Sequence, residues 1–127
     1  MCFIIGNTYT RKEIYNEVGG EQESYLPQYN NTIVCGCFNP KKDPQAPYVI
    51  LVGKGKDIEK KARMLSRQQG SIPVFVKREV KHWEYKGEFY CNRYSINQSE
   101  INVVGQISER DDITGILYLN QTSWFSS

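Results

Sequence analysis

Apolar positions along this chain follow two different spacings, and the polar breaks between them divide it into short elements. Thr10-Arg11-Lys12-Glu13 matches a capping box, in which the Thr10 hydroxyl and the Glu13 carboxylate each take up a backbone amide. Ile14, Tyr15 and Val18 follow at helical spacing before Gly19, so a short helix is predicted over 11–18. Residues 32–38 are β-rich and apolar, and predict a strand. Three prolines within 39–47 then impose a loop.

Residues 48–52 predict a second strand, ended by Gly53-Lys54-Gly55-Lys56. Asp57 is placed as the cap of a helix running to about Gln69, with Ile58, Ala62 and Leu65 as its core stripe. Lys60, Lys61, Arg63 and Arg67 fill the remaining circumference, and Gly70 stops the helix. Further strands are predicted over 72–76, 82–94 and 114–120. The second of these is either one long strand or a bent pair hinged at Gly87. Asp111-Asp112 reads as a turn or a helix cap. This order predicts an α+β domain: a curled mixed sheet or open β-barrel with two main helices.

Composition narrows the reading. At 127 residues the chain is expected to form one domain. Hydrophobic content is 39% but aromatic content is 13%, so Tyr, Phe and Trp must supply much of the burial. Residues 54–93 hold 11 Lys and Arg against 5 Asp and Glu, or +6, while the rest holds 5 against 9, or −4. This split places an electropositive middle between acidic ends, suited to a polyanion or simply to a solvated helix face.

Cys35-Gly36-Cys37 sets two thiols on one face of a strand, and Cys2 and Cys91 stand apart. With His82 the only histidine and no Cys-x-x-Cys knuckle, these read as buried, reduced thiols rather than zinc ligands. No metal or cofactor is expected. The amino terminus is too short for a signal core and no apolar stretch reaches membrane length, giving a cytoplasmic expectation.

Gly53-Lys54-Gly55-Lys56-Asp57 lies at a strand-to-helix junction but lacks both the Walker and the dinucleotide patterns. Free amides at the helix start, beside Lys54 and Lys56, could still hold a phosphate; a solvated glycine turn is the alternative. A nucleophile and its base are not evident. Glu84 and Glu88 lack obvious partners for acid/base work, and the chain is read as non-catalytic.

The segment 19–29, GGEQESYLPQY, combines flexible backbone, hydrogen-bonding side chains and flat π faces. Such a segment can wall a pocket for a planar polar ligand or can form an ordinary packed loop. A second aromatic run, Trp83-Glu84-Tyr85-Lys86-Gly87-Glu88-Phe89-Tyr90, follows the basic middle. Aromatic faces stack on bases while Lys and Arg anchor phosphates, which is the physical basis of nucleic-acid binding.

Arg11-Lys12-Glu13-Ile14, Gly19-Gly20-Glu21-Gln22 and Trp83-Glu84-Tyr85-Lys86-Gly87-Glu88-Phe89 resemble the SRA-like domains of McrA-type modification-dependent restriction endonucleases. The resemblance implies a PUA-like curled barrel that flips and reads modified cytosine in double-stranded DNA, joined in complete enzymes to an HNH nuclease. The chain departs from that pattern in lacking the nuclease's Cys and His motifs. It also departs at Ser24-Tyr25-Leu26-Pro27, where the resemblance implies a smaller, glycine-containing stretch.

The expectation is therefore a DNA reader, alone or as the specificity part of a restriction system, with a nuclease domain or subunit as a further partner. Gln22 and Ser24 would read the base edge, Tyr25 and Tyr29 would stack on or flank it, and Trp83 and Tyr85 would form the opposite wall or floor. Lys54, Lys56, Arg63, Arg67, Lys77, Arg78 and Lys81 would hold phosphates. A PUA-like reader of RNA, and a protein-interaction or inhibitor module of a phage or defence system, are the alternatives.

Overall fold

The structure is a computed structural model and describes residues 3–122. In chain order the elements are β1 (Thr8–Tyr9), α1 (Arg11–Val18), β2 (Gln28–Tyr29), β3 (Thr32–Ile33), β4 (Gly36–Phe38) and β5 (Val49–Val52). They continue with α2 (Lys56–Arg67), β6 (Ile72–Glu79), β7 (His82–Ser95), α3 (Gln98–Val104) and β8 (Gly115–Gln121). The main sheet runs β4-β6-β7-β8-β5, with β1 added on β7. β4 pairs parallel to β6 and the other pairings are antiparallel. The fold is α+β, a mixed sheet that curls without closing.

The long strand β7 makes that curl. Its first half pairs with β6 and its second with β8. The β6 register slips at Val74/Phe75, opposite Gly87, whose φ of +112° favours glycine. A second slip between Cys91 and Arg93 bends the strand again.

The capping box of α1 is present as expected: Glu13 donates its amide to Thr10 Oγ1 at 3.1 Å, and the Thr10 amide donates to Glu13 Oε1 at 2.8 Å. The predicted strand over 32–38 is instead two pieces. Thr32 and Ile33 turn back on β2 as a small hairpin, and only Gly36–Phe38 joins the main sheet. Cys35 and Cys37 are free thiols buried together against Ile14 and Phe75.

Helix α2 begins one residue earlier than expected and ends near Arg67, with Gly55 rather than Asp57 at its cap. Its buried face is also rotated. Ala62 and Leu65 enter the core, but Ile58 is 38% exposed and Lys61 is buried at 3%. The reason lies in the loop that covers this helix, which supplies polar partners for Lys61.

A third helix, α3, was not predicted. Its apolar face is one short pair, Ile101 and Val104, packed with Leu51 and Ile116, while Val103 is exposed. Polar contacts hold it on the sheet: Glu100 accepts from Arg93, Ser95 and Tyr118. These donors, Arg93 first, hold the Glu100 carboxyl down at about 2. The main core lies between the sheet and α2, around Phe38, Phe89, Leu117 and the loop residue Leu26.

Candidate nucleic-acid interface

The loop 19–29 is fastened to three elements. From α1, Arg11 Nη2 donates to the Ser24 carbonyl at 2.8 Å and to the Glu21 carbonyl at 3.3 Å. From α2, the Lys61 ammonium donates to Ser24 Oγ at 2.7 Å and to Glu21 Oε2 at 2.8 Å. Beside β4, the Cys37 amide donates to the Tyr25 carbonyl at 2.9 Å. Tyr25 closes the set by donating its hydroxyl to the Ile58 carbonyl at 2.6 Å.

A buried ammonium is tolerable only when paired and hydrogen-bonded. Lys61 meets this condition with two loop groups. Burial pushes the Glu21 carboxyl up, but Lys61 and the Gln28 amide outweigh it and leave the net shift downward. Gly20, at φ +84°, lies so close to Pro27 that a Cβ there would come within 2.8 Å of the proline side chain. The loop is a fixed wall rather than a flexible flap.

That wall bounds a cavity of about 340 Å³, at the lower end of the usual range for small-molecule sites. Gln22, Ser24 and Tyr25 line it from the loop, and Trp83 lines it from β7. Arg11, Asn39 and Asp43 complete much of the remaining surface. The Arg11 guanidinium lies 5.1 Å from the Trp83 ring centroid and the Lys77 ammonium 5.8 Å, both in cation–π range.

Asp43 is 6% exposed and its Oδ1 accepts from the Leu51 amide at 2.8 Å, with Arg110 at 3.5 Å. Desolvation raises its carboxyl to about 6; the Leu51 amide and Arg110 counter only part of that rise. Among the described residues its second oxygen has no hydrogen-bond partner, and Asp43 lines the cavity. The site thus offers two aromatic surfaces, an amide, a hydroxyl and a carboxylate acceptor around one void.

No protein-family model matches this chain, and no curated protein matches it in sequence. Solved structures do match in fold. The SRA domain of SUVH5, in complex with hemimethylated CG DNA, aligns with a TM-score of 0.54 at 10% identity, covering 93% of this chain and 87% of that one. This is an SRA-like fold. The sulfur-binding and SRA domains of ScoMcrA, complexed with phosphorothioated DNA, align with a TM-score of 0.52 at 11% identity over 94% of this chain. The Type IV phosphorothioation-dependent restriction endonuclease ScoMcrA gives 0.50 at 11% over the same share. The chain spans 39% and 28% of those two ScoMcrA chains.

Within this SRA-like fold, four of the six expected base-pocket residues converge: Gln22, Ser24, Tyr25 and Trp83. Tyr85 does not join them. It shares the Trp83 face of β7 but sits two residues deeper, 8% exposed, with its ring 5.3 Å from Phe75 and 5.5 Å from Phe3. Its hydroxyl donates to Glu88. Tyr29 is 62% exposed on the β2–β3 hairpin, just before its Asn30–Asn31 turn, and does not line the cavity.

The expected phosphate residues fall into two groups. Lys54, Lys56, Arg63 and Arg67 are exposed on α2 or just before it. At the helix start one amide is already taken: Glu59 Oε2 accepts from the Gly55 amide at 3.0 Å. Lys77, Arg78 and Lys81 lie at the β6–β7 hairpin. Lys77 and Arg78 line, with Lys41, a groove of about 400 Å³ against the 39–41 turn. Arg78 also pairs with Glu84 at 2.8 Å.

Three contributors escaped the sequence reading: Asp43, Arg110 and the buried role of Lys61. Asp43 gave one signal, a single acid among the three prolines of 39–47. Arg110 gave none: the carbonyls of Lys42 and Leu51 that it reaches are distant in sequence, and its neighbour Asp112 reads only as a turn or cap.

Proposed function

We propose that this domain is a non-catalytic reader of a modified base in double-stranded DNA. The base leaves the stack and enters the cavity between the 19–29 loop and Trp83. One observation carries the reading: residues far apart in sequence, on a loop fixed by Lys61 and Arg11, converge with Trp83 and Asp43 on one void of base-compatible chemistry.

In this reading Trp83 and Tyr25 flank the base, with stacking worth roughly 1–3 kcal/mol per base. Gln22 and Ser24 contact its edge. The free oxygen of Asp43 accepts from an exocyclic amino group, the contact by which a carboxylate selects cytosine. Lys77, Arg78 and Lys81 grip phosphates beside the cavity mouth, and Lys54, Lys56, Arg63 and Arg67 hold further phosphates. The DNA complexes formed by SUVH5 and ScoMcrA domains of similar fold support a DNA partner. The larger ScoMcrA chains support a role as the specificity part of a restriction system with a separate nuclease.

The test is a titration of matched duplexes with and without a modified cytosine, one pair carrying a fluorescent base analogue at the target position. Preference for the modified duplex, with brightening as the base unstacks, is expected. Equal affinity with no brightening would remove the reading.

A further inference from the structure

A second cavity, also about 340 Å³, backs onto the first and shares with it a wall of Glu23, Ser24, Tyr25, Lys42 and Asp43. It extends away from Trp83 toward Leu51, Ile58 and Asp57. A planar base does not need this space, and a methyl group would leave it empty. We infer that the second cavity receives a bulky, uncharged, hydroxyl-rich substituent carried by the base, of the size and chemistry of a hexose. The inference rests on reading the first cavity as the base pocket.

The lining decides the chemistry. Its two most buried cations are already committed. Lys61 donates to Glu21 and Ser24, while Arg110 donates to Asp112 and to the carbonyls of Lys42 and Leu51. Glu23, Lys42 and Asp57 remain exposed at its edge, two acids against one base. The Asp57 carboxylate is 81% exposed and 3.8 Å from Lys61, a loose pairing that leaves it open to a ligand. Asp43, 6% exposed, stands on the shared wall, and its second oxygen is the one assigned to the base.

An anionic group would meet net negative charge there, which disfavours phosphate. Carboxylate acceptors suit hydroxyl donors, and they lie beside an apolar surface made by the Tyr25 ring, Leu51 and the half-exposed Ile58. A sugar ring has both features, C–H faces for the apolar side and hydroxyls for the acids.

Three duplexes test this, differing only in a central 5-methylcytosine, 5-hydroxymethylcytosine or glucosylated 5-hydroxymethylcytosine. The glucosylated duplex should bind tightest, by roughly ten- to a hundredfold, the span that one or two hydrogen bonds to charged groups supply. Asp57→Ala should erase part of that preference. Ile58→Trp, which fills the second cavity from an exposed position, should erase most of it. Neither should change affinity for the methylated duplex. Methylated DNA binding as tightly as glucosylated DNA, or both variants weakening every duplex alike, would overturn the inference while leaving the base pocket intact. Failure of all three duplexes to exceed plain DNA would overturn the base pocket, and this inference with it.

Discussion

Lys61 on α2 and Ser24 in the 19–29 loop meet at 2.7 Å, through a lysine that is almost wholly buried. This contact joins the most basic helix of the chain to the cavity wall, and with Glu21 it fixes where Ser24 and Tyr25 stand. Lys61→Met keeps the stem but removes the charge. Glu21 is 44% exposed on its side chain and can return to water, so the stability cost should stay well short of the 3–5 kcal/mol of a fully stranded ion. The larger expected effect is on recognition: preference for modified over plain duplex should shrink, and Lys61→Arg should restore part of it. A variant with lowered Tm but unchanged preference would reduce Lys61 to a packing role.

The same helix separates two positions that its sequence makes equivalent. Leu65→Ala should cost about 2–5 kcal/mol, as for a truncated core leucine. Ile58→Ala, at an exposed site, should fall within about 0.5 kcal/mol of the parent. Chemical denaturation of the two variants would check the rotation of α2.

That rotation also shows what could and could not be read from sequence. The first helix was legible because its capping box is a local device, complete within four residues. The strands β5 to β8 were legible from apolar runs and alternation and the hinge in β7 from Gly87, but the two-residue strands β1, β2 and β3 are too short to show a pattern. The face of α2 was not, because Lys61 is buried by partners forty and thirty-seven residues away. For α3 the Asn97 cap, which accepts the Glu100 amide, was the available signal. A helix whose apolar face is only Ile101 and Val104, and which is otherwise held by Glu100 to Arg93, Ser95 and Tyr118, offers too short a hydrophobic period to find. That Gln22, Ser24, Tyr25 and Trp83 line one cavity follows from tyrosine, tryptophan, amide and hydroxyl groups clustered in two segments that the fold brings together. Tyr85 shares the Trp83 face of β7 but is buried away from the cavity, because period two fixes the face of a strand and not the depth along it.

Trp83 and Tyr85 should therefore behave differently. Trp83→Ala should lose roughly 1–3 kcal/mol of binding on any duplex that offers a flipped base. Tyr85→Phe keeps the ring between Phe75 and Phe3 and removes only the bond to Glu88. It should leave DNA affinity unchanged and lower stability by about 0.5–1.5 kcal/mol. Loss of DNA binding in Tyr85→Phe would place that hydroxyl in the interface after all.

Asp43 gives the interface a pH dependence with a definite sign. Its folded-state carboxyl is raised to about 6 by desolvation, against an ordinary value of 3.8. Burial thus favours the protonated form: its contribution to stability is full below the ordinary value and is lost as pH rises through about 6. Binding runs the other way, because only the ionised oxygen is a full acceptor for a base amino group. Affinity for the modified duplex should fall as pH drops from 7 through about 6, and Asp43→Asn should flatten that part of the profile. A parent profile with no inflection there would separate Asp43 from base contact.

The two groups of cations can be ranked by salt. Each phosphate neutralised adds about 0.9 to the slope of log affinity against log salt. At the β6–β7 hairpin, Lys77 stands over Trp83 at the cavity edge and, with Arg78, lines the adjoining groove. Around Gly53–Lys56, by contrast, Glu59 has taken the Gly55 amide, and Asp57 and Asp112 add negative charge beside the lysines. A Lys77→Ala, Arg78→Ala double variant should weaken modified and plain duplexes alike and flatten the slope by about 1–2, whereas Lys54→Ala, Lys56→Ala should change it by less than about 1. Arg78 already pairs with Glu84, so part of its binding energy goes to breaking that contact. Lys77→Ala alone should therefore account for most of the loss. A steeper effect from the Lys54 and Lys56 pair would instead place the DNA backbone across the start of α2.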